Sequence, residues 1–131
     1  MSKEELLQIA DLARENPNIN ILSDEIYELI LKKEFKHYSL SALANDLKDR
    51  IFIINGFAKG WAMTGWRIGY AAGPKEIIKA MAKIQSQSTT NPSSISQAAA
   101  VEALNGIQDF IPVRAKAFEE RRDFVVNSLN S

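Results

Sequence analysis

Apolar and polar positions along this chain follow two periods, one typical of helices and one typical of buried strands. Near the N-terminus, the apolar residues between Leu6 and Ala13 recur at helical spacing, which predicts an amphipathic helix. Ser2 and Glu5 stand three residues apart in front of it and predict a capping box. The dipeptide Asn16-Pro17 ends this helix, because a residue before proline avoids the helical region.

Short apolar runs separate segments of helical periodicity over the rest of the chain. Ile51–Ile54 is apolar on both faces, as expected of a central parallel strand. The same reasoning predicts two further strands, Ile19–Ser23 and Ile68–Ala72. It also predicts helices at Leu40–Leu47, from Pro74 to about Gln85, from Ser94 to Leu104, and from about Gln108 onward. Strands and helices in this order predict an α/β fold with a three-layer, mainly parallel sheet.

Composition and charge exclude several classes of function. The 131 residues suffice for one domain with a core, and 16 basic side chains balance 16 acidic ones. This balance gives no electrostatic footprint for a nucleic acid or an anionic membrane. The chain has no Cys, and the sequence offers its one histidine, His37, no partner, so no metal site is predicted. No apolar run reaches the roughly 20 residues of a membrane span, and a cytoplasmic location fits.

The candidate chemistry begins where the Ile51–Ile54 strand ends. A glycine-punctuated loop follows it and carries Lys59 and, eight residues later, Arg67. Such loops after buried strands commonly hold ligands in α/β proteins. A lone loop lysine is usually solvated. A lysine flanked by small residues and Trp61, beside an arginine, could instead be a desolvated amine, which loses its proton more easily and forms Schiff bases.

Asp24 and Tyr27 add a carboxylate and a phenol to this set. Asp24 follows the predicted strand Ile19–Ser23, and carboxyl ends of strands are where α/β sheets gather ligands. Taken alone, Asp24 is better interpreted as the N-cap of a helical Glu25–Leu31 segment, and Tyr27 as a packed aromatic. The Lys59 loop reverses that balance, because Asp-x-x-Tyr places both groups within one turn of a common cleft.

Asn55–Gly73, together with Ser23–Tyr27, resembles the class I aminotransferases, which use pyridoxal phosphate. The likeness is greatest to the aspartate/prephenate branch, in which a loop of the form N-G-x-x-K-x-x-A-M-T-G-W-R-I-G-Y recurs. It implies the large domain of a fold type I transferase. Enzymes of this kind are about three times longer. We therefore expect residues 1–131 to be part of the coenzyme-binding large domain. Residues from about 108 to 131 would start the helix leading to a small domain, and the isolated chain would be inactive and poorly soluble.

The resemblance also implies a role for each candidate residue. Lys59 would bind the coenzyme covalently and relay a proton, while Asp24 would keep the ring nitrogen protonated. Tyr27 would donate to the ring oxygen, and Arg67 would pair with the phosphate through its planar fork. Gly56 stands where some relatives carry a phosphate-binding serine, so backbone N–H groups would have to compensate. These side chains are expected to converge on one cleft.

The activity implied is transamination between an amino acid and a 2-oxo acid, of the aspartate, aromatic or prephenate type, in a homodimer. Two alternatives stay open at this point. The same residue set also serves fold type I lyases and synthases, and aminotransferase-like domains can act as non-catalytic sensors. A lyase or synthase would differ from an aminotransferase in forming product without a 2-oxo acid acceptor. A DNA-binding module fused to the chain would support a sensor. The loop near Ser86 has no arginine, so specificity for a dicarboxylic substrate cannot be predicted.

Overall fold

A computed structural model describes residues 1–130 and divides the chain into two compact units. The first unit contains Met1–Glu25, Tyr38–Gly56 and Gly69–Ser93, and the second contains Ile26–His37, Phe57–Ile68 and the chain from Ser94 onward. In the part described, no helix combines the length and the apolar character that crossing a bilayer would require.

The first unit holds a three-stranded sheet and three α-helices. The strands are β1 (Ile21–Asp24), β2 (Ile51–Gly56) and β3 (Gly69–Ala72), in that order across the sheet. The helices are α1 (Lys3–Glu15), α2 (Leu40–Leu43) and α3 (Lys75–Ser86), and a 3₁₀ helix, Asn45–Arg50, leads into β2. The α/β prediction is confirmed, and each of the three predicted strands is present.

The sheet is mixed, although a mainly parallel one was expected. β1 and β2 pair in parallel with Asp24 opposite Ile54, whereas β2 and β3 pair antiparallel with Gly56 opposite Gly69. A parallel return needs a crossover that is usually a helix. The segment Phe57–Ile68 contains only a 3₁₀ turn, so the chain comes back beside β2 in the opposite direction.

The core of the first unit forms where α1 packs on α2 and the start of β2. Its buried side chains are Ala10, Ala13, Leu40, Ala44, Leu47 and Ile51. The predicted capping box at the start of α1 is present: the Glu5 N–H donates to Ser2 Oγ at 3.2 Å, and the Ser2 N–H donates to Glu5 Oε2 at 2.7 Å. Local sequence signals thus determine where this helix begins.

The helix considered for Glu25–Leu31 does not form, so the interpretation of Asp24 as its N-cap is wrong. The Glu25 N–H donates to the carbonyl of Ile54 at 2.9 Å, which carries the pairing with β2 one residue past Asp24. A turn at residues 26–29 then follows. The predicted helix Leu40–Leu47 is also shorter than expected, because α2 ends at Leu43 and a 3₁₀ helix follows it.

The second unit contains two helices and the loop that carries Lys59. Its helices are α4 (Ser94–Asn105) and α5 (Phe110–Leu129), and a 3₁₀ turn, Thr64–Trp66, lies within the loop. The C-terminal helix begins two residues later than predicted, at Phe110 rather than at Gln108. The assignment of residues 1–131 to a partial large domain, with 108–131 leading to another domain, stays a prediction.

Candidate active site

Asp24 and Gly56 lie at the same edge of the sheet in the first unit. Asp24 is the last residue of β1 and faces Ile54 in β2, and Gly56 ends β2 two residues further on. Because β1 and β2 are parallel, both positions are at carboxyl ends of strands, where α/β sheets bind ligands. The Asp24 side chain is exposed at this edge.

The backbone at the end of β2 is held by the buried side chain of Asn55. Its Oδ1 accepts a hydrogen bond from the Gly56 N–H at 2.7 Å, so this N–H already has an acceptor. Opposite it, a Cβ added at Gly69 would lie 2.9 Å from the Asn55 carbonyl oxygen, which leaves no room for a side chain there. The phosphate-binding role predicted for Gly56 stays a prediction.

Lys59 and Tyr27 meet in the second unit. The Lys59 Nζ lies 5.5 Å from the centroid of the Tyr27 ring, within the range of a cation–π contact. Lys59 is half-buried, while Tyr27 is exposed. Gly60 permits this approach, because a Cβ there would lie 2.8 Å from the Leu29 Cδ1 in the same turn as Tyr27. The Gly60 backbone thus lies close to the Leu29 side chain, next to the contact between the amine and the phenol ring.

The turn that presents Lys59 is closed by its own backbone and aromatic contacts. The Met63 N–H donates to the Phe57 carbonyl, and the Ala62 N–H to the Lys59 carbonyl, both at 3.1 Å. The rings of Phe57 and Trp61 stack at a tilt with centroids 5.1 Å apart. Ala62 has a φ of 57°, in the left-handed region that residues with a Cβ rarely adopt. Lys59 therefore lies in a turn whose conformation is stabilised by hydrogen bonds and an aromatic contact.

Arg67 follows this turn and also adopts a left-handed conformation, with φ 52° and ψ 47°. Its Nη1 donates to the Thr64 carbonyl at 2.9 Å. Within residues 1–130, no protein acceptor contacts its Nε–H or Nη2–H groups. One side of the guanidinium is thus fixed to the loop, and the other presents the parallel N–H pair that binds carboxylates and phosphates.

The predicted site residues therefore fall into two sets. Tyr27 and Lys59 are in contact, and Arg67 lies in the same unit, while Asp24 and Gly56 share a sheet edge in the other unit. The convergence of the two sets on one cleft stays a prediction.

Two hydrogen bonds to α4 hold the loop that carries Lys59, and neither was predicted from the sequence. Trp61 Nε1 donates to the Ala103 carbonyl at 2.9 Å, and the buried Ser96 Oγ donates to the Trp66 carbonyl at 2.7 Å. Both acceptors are backbone carbonyls, which every residue type offers. No pattern of residues in the sequence therefore predicts either bond.

Comparison with known proteins identifies a family over the whole chain. The sequence model described as aminotransferase class I and II matches residues 1–131. A probable aspartate/prephenate aminotransferase of Rickettsia bellii is 56% identical over 128 residues, which cover 98% of this chain and 32% of that protein. An aspartate aminotransferase of Rhizobium meliloti is 53% identical over 116 residues, covering 88% of this chain and 28% of its own length.

Solved structures give the same picture. A crystal structure of the aspartate aminotransferase from Rhizobium meliloti superposes with a TM-score of 0.96 at 48% identity, over 99% of this chain and 32% of that one. The aspartate aminotransferase from Thermus thermophilus, solved with maleate, gives 0.88 at 45% identity, over 98% and 33%. The chain thus spans about a third of the length of these relatives, for example 32% of the Rickettsia bellii protein.

Proposed function

Because this chain belongs to the family of class I and II aminotransferases, we propose that it carries the coenzyme-binding part of an enzyme that transfers an amino group between an amino acid and a 2-oxo acid. The observation that carries this proposal is the contact of the Lys59 amine with the Tyr27 ring. The names of the relatives favour the aspartate/prephenate type of substrate.

The donor set of the chain fits pyridoxal phosphate as the resident coenzyme. It comprises an amine on a closed turn, a phenol beside it, an arginine fork with one side unengaged by described residues, and a carboxylate at the carboxyl end of β1. When bound, pyridoxal phosphate supplies a conjugated ring that accepts electrons from the substrate α-carbon.

Each of these residues has a task that follows from its chemistry. Lys59 would hold the coenzyme through its amine and would move a proton at the substrate α-carbon. Asp24, as a carboxylate, would keep a proton on the ring nitrogen. Tyr27 would donate its O–H to the ring oxygen. Arg67 would bind the phosphate, for which its planar fork is suited.

We also propose that the complete enzyme is a homodimer located in the cytoplasm, as the resemblance implies. Its partners are then small molecules, in keeping with equal numbers of basic and acidic residues. Large exposed apolar side chains on α3 and α5 support an additional covering surface, from the rest of the enzyme or from a second copy. Light scattering of the complete gene product measures its subunit number, which we expect to be two.

Product analysis of the complete gene product tests the proposed activity. With pyridoxal phosphate and aspartate, we expect formation of a new amino acid that depends strictly on an added 2-oxo acid, measured by mass spectrometry. Lys59→Ala should lower turnover by at least about 10²–10⁴-fold, because it removes the group that relays the proton. Lys83→Ala removes an exposed lysine on α3 and should leave turnover unchanged.

Two outcomes would contradict this activity. Products formed without an acceptor would indicate a lyase or synthase. Coenzyme binding without turnover of any amino acid would indicate a sensor.

A further inference from the structure

Helix α4 holds the loop between Lys59 and Arg67 at two points. The Trp61 indole donates to the Ala103 carbonyl at 2.9 Å, near the end of the helix. The Ser96 hydroxyl donates to the Trp66 carbonyl at 2.7 Å, near its start. All of these residues belong to the same compact unit. The acceptor of the second contact, the Trp66 carbonyl, lies in the peptide group directly before Arg67.

The Trp66 carbonyl and the Arg67 N–H belong to one planar peptide group. Rotation of this plane changes the φ of Arg67, which stands at 52° in the left-handed region. A residue with a Cβ is disfavoured in that region and tends to leave it unless its surroundings hold it there. Ser96 is buried, and its hydroxyl bond to the Trp66 carbonyl opposes the rotation that would let Arg67 relax.

The direction of the Arg67 side chain depends on this backbone conformation. The left-handed conformation accompanies the bond from Nη1 to the Thr64 carbonyl, which fixes one side of the guanidinium. If the φ of Arg67 left this region without a compensating change in the ψ of Trp66, the Cα–Cβ bond of Arg67 would turn and the fork would lose its orientation. Arginine binds phosphate well only when both parallel N–H groups are presented together.

We propose that Ser96 is a positioning residue for phosphate recognition, which acts by holding the Trp66–Arg67 peptide plane and thereby aiming the guanidinium of Arg67. The proposal rests on the proposed function, since it takes the phosphate of pyridoxal phosphate as the ligand of Arg67. Ser96 Oγ donates to the Trp66 carbonyl, so the proposed role is indirect. Its effect on binding is therefore specific to the phosphate group and requires the arginine.

Titration of the complete gene product with pyridoxal phosphate, and separately with pyridoxal, tests this mechanism. We expect Ser96→Ala to raise the Kd for pyridoxal phosphate by about three- to tenfold, the effect of one ordinary hydrogen bond. The Kd for pyridoxal, which lacks the phosphate, should change less than about twofold. In the Arg67→Ala background, the same serine substitution should no longer weaken pyridoxal phosphate binding, because the group it aims is gone.

Ser2→Ala is the matched control, because it deletes a serine hydroxyl that caps α1 in the other unit. It should lower stability in denaturant unfolding without changing either Kd. If Ser96→Ala does not fold, Ser96→Cys keeps the volume with a weaker donor and should give the same phosphate-specific loss, smaller in size.

An unchanged Kd for pyridoxal phosphate in the serine variant would overturn the proposal. An equal loss for both ligands, or the same loss in the Arg67→Ala background, would overturn it as well, because it would mean a general loosening of the loop. An unsubstituted gene product that binds no pyridoxal phosphate would instead contradict the proposed function, and this inference with it.

Discussion

The contact between Lys59 and Tyr27 depends on Gly60, a residue with no reactive group of its own. A Cβ at this position would meet the Leu29 Cδ1 at 2.8 Å and the Leu29 Cβ at 3.1 Å. The Cδ1 can rotate away, but the Cβ is fixed to the backbone of the turn that carries Tyr27. A single added methyl group therefore pushes two segments apart at the place where the amine and the phenol meet.

Gly60→Ala in the complete gene product should lower the free energy of unfolding by about 1–3 kcal/mol, as overpacking usually does. The same change should weaken pyridoxal phosphate binding, because it displaces the Tyr27 turn from Lys59. Gly65→Ala is the control: it lies in the same loop, and nothing stands within 4 Å of an added Cβ. Its effect on stability should stay within about 0.5 kcal/mol. Denaturant unfolding and coenzyme titration that gave the same result for both variants would contradict the role of Gly60.

At the scale of single residues, the reactive groups can be predicted from the sequence, whereas the contacts that orient their side chains cannot. The amine, phenol, carboxylate and guanidinium stand out because their chemistry and spacing are visible in the chain. The bonds made by Ser96 and Trp61 do not stand out, because each side chain donates to a backbone carbonyl far away in the sequence. The left-handed conformation of Arg67 could not be predicted either, because a residue with a Cβ rarely adopts it.

Among the elements, α1 shows what local signals can determine. Its capping box was predicted from Ser2 and Glu5 because both partners lie within one turn. The failed helix after Asp24 shows the limit of such signals. The Glu25 N–H that would have opened it donates to Ile54, which lies in another strand and became a neighbour only through folding. The burial of the Glu25 side chain and its bonds from Ser23 and Ser39 oppose a helix there as well.

α1 is also tied to the 3₁₀ helix before β2 by an ion pair with a definite pH dependence. The Arg14 Nε and Nη2 donate to the two carboxylate oxygens of Asp46, each at 2.8 Å. These bonds hold the pKa of Asp46 below its ordinary value and raise the pKa of Arg14. The unfolded chain then binds a proton at Asp46 more readily than the folded one, so the pair stabilises the fold above the ordinary aspartate pKa.

Asp46→Asn should therefore lower stability at neutral pH, and its difference from the unsubstituted protein should vanish as the pH falls through the folded pKa of Asp46. The difference should be small and should shrink further in high salt, because both side chains are partly exposed. Arg14→Lys keeps the charge without the two parallel bonds and should lose part of the same stability. Unfolding curves of the three proteins between pH 7 and about pH 3 measure this. A difference that grew on acidification would contradict the assigned sign.

For the molecule as a whole, apolar and polar patterning predicted the α/β class but not the mixed sheet. β3 runs antiparallel to β2 because the segment between them forms a loop with a 3₁₀ turn rather than a crossover helix. A pattern of apolar residues predicts a strand but not the direction in which it pairs. Large apolar side chains stay exposed on α5, including Phe124 at 73% and Leu129 at 80%. Such a surface agrees with the expected poor solubility of the isolated chain, which stays a prediction.

In the proposed mechanism, Lys59 is the amine that holds pyridoxal phosphate. Borohydride reduction of the complete gene product, loaded with the coenzyme, makes that linkage permanent, and peptide mapping by mass spectrometry then locates it. We expect the label on the peptide that contains Lys59, and no stoichiometric label in the Lys59→Ala variant. A label on Lys75, Lys79 or any other lysine would contradict the assignment of the loop and the mechanism built on it.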